Sequence, residues 1–368
     1  MTFGAGSIRI DVTVSRALAC CVEIKSNRPQ GLARLFVGRR PEEAPVLAGQ
    51  VFSLCGVAQS VAARLAVLNA ADLPMRGEER FAATAKLLAE RIFETLRALI
   101  LHWPLPLPAA IVALAGKYLR EALAASQAII AGAKAKIAKC AFVAEPAARL
   151  SAAAAALGIP DGEGQPPRDT AYAAILGNID RDRIFVSRRP NPLTVADDAE
   201  VIAHLSREAG YASLPYLAGR VVETGAYARL SSAGMPEGPH LAERFLARIN
   251  DVRLCLQQLS NLDQQDTDAC SSLMGGGPTP GAGGYGAVEC ARGRLYHLAE
   301  IGMDGHLCAY RILAPTEWNF HPAGPFVETL LSSRIGVGES AARSVSRLAT
   351  LFDPCVAFEI GVREAAYA

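Results

Sequence analysis

The stretch Leu351-Phe352-Asp353-Pro354-Cys355-Val356-Ala357-Phe358 constrains this chain most once it is set beside Phe52-Ser53-Leu54-Cys55-Gly56-Val57-Ala58. Alone, a cysteine after Asp-Pro is a small buried thiol in a turn. We read the two stretches as halves of one site. That requires a fold in which the opening and closing segments of the chain meet. Glycine after Cys55 suits such a site, because it lets backbone approach a ligand closely.

Residues 7–24 alternate well enough for two strands or a hairpin, with Ile8, Ile10, Val12 and Val14 in the first and Cys20, Val22 and Ile24 in the second. Pro41 and Pro45 bracket a short helix with Glu42 and Glu43 in its first turn. From Val57 the period becomes helical. The clearest amphipathic stretch is 78–102, with Phe81, Leu87, Leu88, Ile92, Leu96 and Ile100 on one face. Further helices are expected at 108–131, 145–157, 197–209 and 241–262. Gly158 and Gly210 supply stops for two of them. The polar run 161–168 reads as a loop. So does the glycine-rich run 271–286. That run contains a literal G-x-G-x-x-G at Gly281–Gly286, but an extended segment follows it, not a helix N-terminus. The phosphate-cradling reading therefore lacks its physical basis.

Charge excludes some partners. With 37 basic and 36 acidic residues the net charge is +1, so nothing favours nucleic acid or an acidic membrane surface. The apolar stretch near 96–102 is broken by Pro104, Pro106 and Pro108 and is too short to span a bilayer. The opening Met1-Thr2-Phe3-Gly4-Ala5-Gly6 lacks the basic and apolar regions of a signal peptide, so a cytoplasmic protein is expected. Nine cysteines without any CxxC argue against a disulfide framework and against a zinc ribbon. Cys20 and Cys21, adjacent on a strand, face opposite ways. Cys140, Cys255, Cys270 and Cys308 read as structural, whereas Cys290 stands close to the site motifs as a core cysteine or a third thiol.

Together the two cysteine stretches resemble the paired motifs of the nickel–iron (NiFe) hydrogenase large-subunit family, R-x-C-G-x-C-x-x-x-H and D-P-C-x-x-C-x-x-H. Other stretches are similar to that family too: Gly6-Ser7-Ile8-Arg9-Ile10-Asp11-Val12, Gly38-Arg39-Arg40-Pro41-Glu42-Glu43-Ala44-Pro45, and Glu223-Thr224-Gly225-Ala226-Tyr227-Ala228-Arg229. The longest pieces are Glu289-Cys290-Ala291-Arg292-Gly293-Arg294-Leu295-Tyr296-His297 and Ala309 through Asn319, which contains Pro315-Thr316-Glu317-Trp318-Asn319.

The resemblance implies an α+β fold: a helical body, 75–262, with strand-rich ends, 1–70 and 285–368, meeting at the site in one domain. It also implies what has been lost. Cys55 and Cys355 keep the family's two terminal metal-ligand positions, while Ala58 and Phe358 replace the two bridging cysteines. The first motif's arginine and histidine fall on Ser53 and Ala62, the second motif's histidine on Gly361, and the family's proton-relaying glutamate on Ala5. Arg292, Pro315 and Thr316 keep the pocket that surrounds iron-bound carbon monoxide and cyanide. Two thiolates do not supply the four-sulfur environment of a nickel–iron pair, so no nickel and no hydrogenase turnover are expected. They can hold one iron carrying carbon monoxide and cyanide. Arg292 offers fixed donors to cyanide and Thr316 a further one. Alternatively, Arg292 pairs with Glu289 or another carboxylate, and Thr316 caps or braces its turn.

This pattern resembles the HupK/HoxV type of hydrogenase accessory protein, non-catalytic large-subunit relatives that act in maturation. It implies a scaffold for the iron fragment, with maturation proteins, a chaperone or the hydrogenase large subunit as partners. With the terminal histidine and a long tail absent, proteolytic processing of the C-terminus is not expected. Two other readings stay open: a metal-free assembly partner that mimics the large subunit, and a redox-complex subunit of the same fold.

Overall fold

The computed structural model describes residues 6–29, 31–52, 54–134, 142–179, 184–185, 188–231, 240–262, 272–331 and 333–365. In chain order, β1 (Ser7–Ser15) and β2 (Leu18–Ser26) lead through two short 3-10 turns to α1 (Ala44–Val51), α2 (Gly56–Ala70) and α3 (Gly77–Leu101). Then come α4 (Ala109–Lys134), α5 (Ala144–Leu157), α6 (Ala171–Ile179), β3 (Asn191–Pro192) and α7 (Asp198–Arg207). Next are β4 (Val222–Glu223), α8 (Ala226–Ser231) and α9 (His240–Ser260). The last part holds β5 (Met274–Pro278), β6 (Gly283–Cys290), β7 (Gly293–Ile301), β8 (Leu307–Leu313), α10 (Pro315–Asn319), α11 (Pro325–Leu331), α12 (Gly338–Phe352) and β9 (Ala357–Glu364).

The expected hairpin is present, and it is where the two ends of the sequence join. β1 pairs antiparallel with β2 and parallel with β9, Ile8 opposite Phe358 and Ile10 opposite Ile360. The period of two puts Ile8, Ile10, Val12 and Val14 on one face, each at most 1% exposed. Burying such a side chain stabilises the fold by about 2 kcal/mol. That face packs into the main core with Leu88, Ile92 and Leu96 of α3, Phe245 and Ile249 of α9, and Leu348 of α12. Between β8 and β9 the closing part is helical: α10, α11 and α12 intervene, so strands dominate it less than expected. No helix among the described residues is long and apolar enough to cross a membrane.

The run 271–286 is not a loop. Its described part forms β5 and the start of β6, at one side of a four-stranded antiparallel sheet ordered β5-β6-β7-β8. The glycines serve close packing against α2. A Cβ at Gly284 would stand 2.1 Å from the Ala70 backbone nitrogen, and one at Gly286 would stand 2.3 Å from the Ala62 carbonyl oxygen. Helix and sheet backbones thus touch where side chains would separate them, which fixes the place of α2 and of Cys55 at its start. Gly286→Ala is expected to cost about 3 kcal/mol, as overpacking against rigid backbone does. Urea denaturation measures it.

A chain of buried charges ties the helical body to this sheet. Arg91 of α3 and Arg229 of α8 both hold Asp251 of α9. Arg229 also reaches Glu289 of β6 at 2.6 Å, and Glu289 faces Arg294 of β7, which grips Asp198 of α7 through two nitrogens.

Candidate functional site

Cys55 is the residue that caps the N-terminus of α2, and its side chain makes no capping bond. The cap comes from elsewhere. Glu90, on α3, accepts the backbone N–H of Val57 at 2.6 Å and of Ala58 at 2.9 Å. A carboxylate there satisfies two free helix donors and meets the positive end of the helix dipole. Burial is nevertheless the largest influence on Glu90 and pushes its carboxyl up to about 7, against the pull of those two bonds.

Cys355 lies between α12 and β9. Asp353, the cap residue at the end of α12, has φ 52° and is held by two guanidinium groups. Arg248 bonds it at 2.8 Å and Arg292 faces it at 3.5 Å. Burial pushes the Asp353 carboxyl up, but Arg292 and Arg248 together overcome it and hold the group below its ordinary value. Thr316, in the first turn of α10, has its hydroxyl 3.3 Å from the Cys355 sulfur. Pro315 is buried beside it at the helix start, where its fixed φ suits the first turn.

Arg292 sits in the two-residue turn between β6 and β7 and is 4% exposed. It contacts Glu94 at 3.3 Å as well as Asp353, and not Glu289, which is occupied by Arg229 and Arg294. Its Nε and Nη1 have no hydrogen-bond partner among the described residues, nor has Asp353 Oδ1. Arg292 and Asp353 line a cavity of about 20 Å³, together with Gly225, Arg244, Arg248 and Asn319. Buried polar atoms are almost always partnered, so these donors point to something that completes them. A small anion or a ligand nitrogen fits them chemically.

The structure therefore brings Cys55, Cys355, Arg292 and Thr316 to one place, with Pro315 positioning Thr316. The two thiols lie near enough that charge on Cys355 opposes charge on Cys55. Burial first, then Cys355, Cys290 and Glu90, raise the Cys55 thiol well above its ordinary value, and Arg292 pulls the other way. Cys290 closes β6 on the same side. It is buried, with its thiol pushed up to about 11 chiefly by that burial. Among the described residues no group of three or more His, Cys, Asp or Glu side chains is placed to hold a metal ion.

The positions that the resemblance sets as bridging, 58 and 358, hold packed side chains. Ala58 is fully buried and Phe358 packs against the main core opposite Ile8. At position 361 a Cβ would lie 2.3 Å from Asp11 Oδ1, so any larger residue there requires the Asp11 side chain to move. Ser53 and Ala5 lie outside the described residues, as do Cys140 and Cys270.

Sequence reasoning missed Glu90, Glu94, Arg248 and Gln59. One signal was available. Arg91 and Glu94 interrupt the buried face of α3, and both are under 9% exposed. A charge on an otherwise apolar helix face is paired or functional.

Two buried histidines stay neutral. Burial lowers His297 to about 3, and burial, then Arg244, lowers His240 to about 2. For a depressed histidine the stabilisation is complete above the unfolded value near 6.5 and is lost as pH falls toward the folded one. Glu90, raised in the fold, contributes in the opposite sense. A comparison of parent and His240→Gln cancels it. The variant is expected to lose about 2 kcal/mol less than the parent between pH 7 and pH 5, read by urea denaturation at each pH.

No protein-family model matches the chain. It is 70% identical, over all of both chains, to the hydrogenase expression/formation protein HupK of Rhizobium leguminosarum bv. viciae. It is 32% identical to the HupK of Bradyrhizobium diazoefficiens, with 98% of each chain covered. Among solved structures it is similar to the reduced, active nickel–iron–selenium hydrogenase of Desulfomicrobium baculatum, with TM-score 0.66, 14% identity, and coverage of 94% of this chain and 95% of that one.

Proposed function

The chain belongs to the HupK family of hydrogenase expression/formation proteins, with the fold of a nickel–iron hydrogenase large subunit, and on that premise we propose that it is a maturation scaffold for an iron fragment carrying carbon monoxide and cyanide. Its role is in hydrogenase maturation, and the fragment is its cargo. The observation that carries the reading is Arg292. Its Nη1 is buried without an acceptor among the described residues, and its Nε meets only the long contact to Asp353, near the two cysteines.

Each residue has a task in this reading. Cys55 and Cys355 would hold the iron as thiolates, so loading releases a proton from each thiol. Arg292 donates to a cyanide nitrogen. Thr316 keeps the Cys355 sulfur in place through its hydroxyl and can turn the same proton toward a ligand. Glu94 and Asp353 fix the guanidinium so that its free edge stays aimed. Ala58 and Phe358 leave no sulfur for a second metal, which favours release of the fragment over completion of a nickel–iron centre. Partners consistent with this role are the other maturation proteins, a chaperone and the hydrogenase large subunit, and the cytoplasm is its expected place.

The test is infrared spectroscopy on protein purified without oxygen from cells that express the hydrogenase maturation genes. Bands of metal-bound carbon monoxide and cyanide are expected, and they disappear in Cys55→Ala and in Cys355→Ala. If no bands occur and both variants still support hydrogenase maturation, the protein is a metal-free assembly partner that presents a large-subunit surface.

A further inference from the structure

The strand β9 ends the three-stranded sheet, and its outer edge pairs with no strand among the described residues. The other long edges are covered or interrupted. β8 exchanges backbone bonds with the 38–39 turn, Gly38 N–H to the Leu307 carbonyl and Leu307 N–H to that of Arg39. β5 lies against α2, where Asn69 abuts Gly276. β2 pairs through a bulge at Thr13–Val14, gives its Ala19 N–H to Ser333 and carries Lys25. β9 has neither bulge nor proline and follows β1 in unbroken register. An edge of that kind is a template for another strand.

The direction of its free backbone groups follows from one bond. The N–H and C=O of a residue point to the same side of a strand, and the side alternates along the chain. Ala365 gives its N–H to Val14 of β1. Odd-numbered residues therefore face β1, and the backbone groups of Phe358, Ile360, Val362 and Glu364 face outward. The side chains divide between the two faces of the sheet. Phe358, Ile360 and Val362 share the core face with Ile8, Ile10 and Val12, and Glu359, Gly361 and Arg363 share the outer face with Arg9, Asp11 and Thr13. The Glu359 side chain is 67% exposed and that of Arg363 64%.

We propose that the β9 edge docks a second copy of this chain, antiparallel and edge to edge, about a two-fold axis at Gly361. The charges set the register. With Gly361 opposite its own copy, Glu359 of each chain stands opposite Arg363 of the other, at non-hydrogen-bonded positions whose Cα atoms are about 4.5 Å apart. The outward backbone groups of Ile360 then meet those of Val362, and those of Phe358 meet those of Glu364, as hydrogen-bonded pairs. A slip of two residues either way sets Glu359 against Gly361 or Ala365 and loses both charge pairs. Within one copy Glu359 faces Arg9 at 3.5 Å and Arg363 faces Glu23 at 3.6 Å, surface contacts that are worth little and can be shared. Asp11, which lies over Gly361, is held by Arg9 and Lys25, so it brings no unpaired charge to the axis. The interface is isologous, so it closes at two copies. A single strand edge buries less than the roughly 1,200 Å² of a stable interface, so the dimer is reversible.

Sedimentation velocity on the metal-free full chain, over a range of concentrations, tests it. The parent is expected to pass from monomer to dimer as concentration rises, and less readily at high salt. Glu359→Arg and Arg363→Glu each set like charges opposite one another at both ends of the paired strands. Each is expected to raise the dissociation constant about tenfold or more. An equal mixture of the two variants restores opposite charges and should form a mixed dimer of parent strength, which also establishes that both are folded. Hydrogen exchange of the parent needs no variant: exchange in the 356–365 peptide should slow as concentration rises. A parent that is monomeric at every concentration, variants that dimerise as the parent does, or concentration-dependent protection outside β9 overturns the proposal. No metal enters the experiment, so its outcome stands apart from that of the infrared test.

Discussion

Arg292→Leu is expected to unfold about 3 kcal/mol more easily than the parent and to shift the cyanide bands of any fragment it still carries. The stability loss arises because Glu94 and Asp353 are both buried and both lose a cation. Removing one partner of a buried ion pair costs about 3–5 kcal/mol. The lower end applies here, since Arg97 still faces Glu94 and Arg248 still faces Asp353. Arg292→Lys separates the two effects. It keeps the charge and so recovers most of the stability. It lacks the planar fork, so the cyanide bands should not return to the parent position. Urea denaturation reads the first effect and infrared spectroscopy the second. Identical bands in all three proteins would remove Arg292 from the cargo site and leave it a structural cation.

Asp251→Leu should be still more damaging, at about 3–5 kcal/mol. Asp251 is 2% exposed and lies between Arg91 and Arg229. Its carboxyl is held well below the ordinary range: burial works against the charged form, and Arg229 and Arg91 more than compensate. Without it Arg91 is a buried cation among apolar helices. Arg229 retains Glu289, so the double variant Arg91→Leu/Asp251→Leu should lose much less than the sum of its single changes. Urea denaturation of the four proteins gives the coupling. Full additivity would mean that Asp251 matters through packing alone.

Arg292 and Asp251 also mark what can be read from sequence and what cannot. Arg292, Cys55, Cys355 and Thr316 were legible because they stand in dense motifs where several residue types recur at fixed spacing. Asp251, Glu90 and Glu94 stand in long helices whose pattern is set by packing. There a charged residue looks like any exposed charge until its neighbours are known. The hairpin β1–β2 and the helices α3, α5 and α9 were legible because their apolar periods are strong. The strands β5 and β6 were not. Glycine reads as loop because it weakens a strand, and only the approach of α2 to the sheet reveals why glycine stands at 284 and 286. The three helices between β8 and β9 show the same limit. They stand between the strands of the closing segment, and α12 is what delivers Asp353 and Cys355 to the site.

The pairing of β1 with β9 has a consequence for how the protein is made. Contacts in that sheet join residues as far apart as Thr13 and Arg363, 350 positions along the chain. Synthesis proceeds from the N-terminus, so Cys55 leaves the ribosome long before Cys355 exists. During that interval the nascent chain offers Cys55 without Cys355, an incomplete three-stranded sheet and the unpaired edge of β1. A competent site appears only as the final strand docks. Synthesis itself therefore acts as a timer: the last strand to leave the ribosome completes the sheet, and Cys355 joins Thr316 only then.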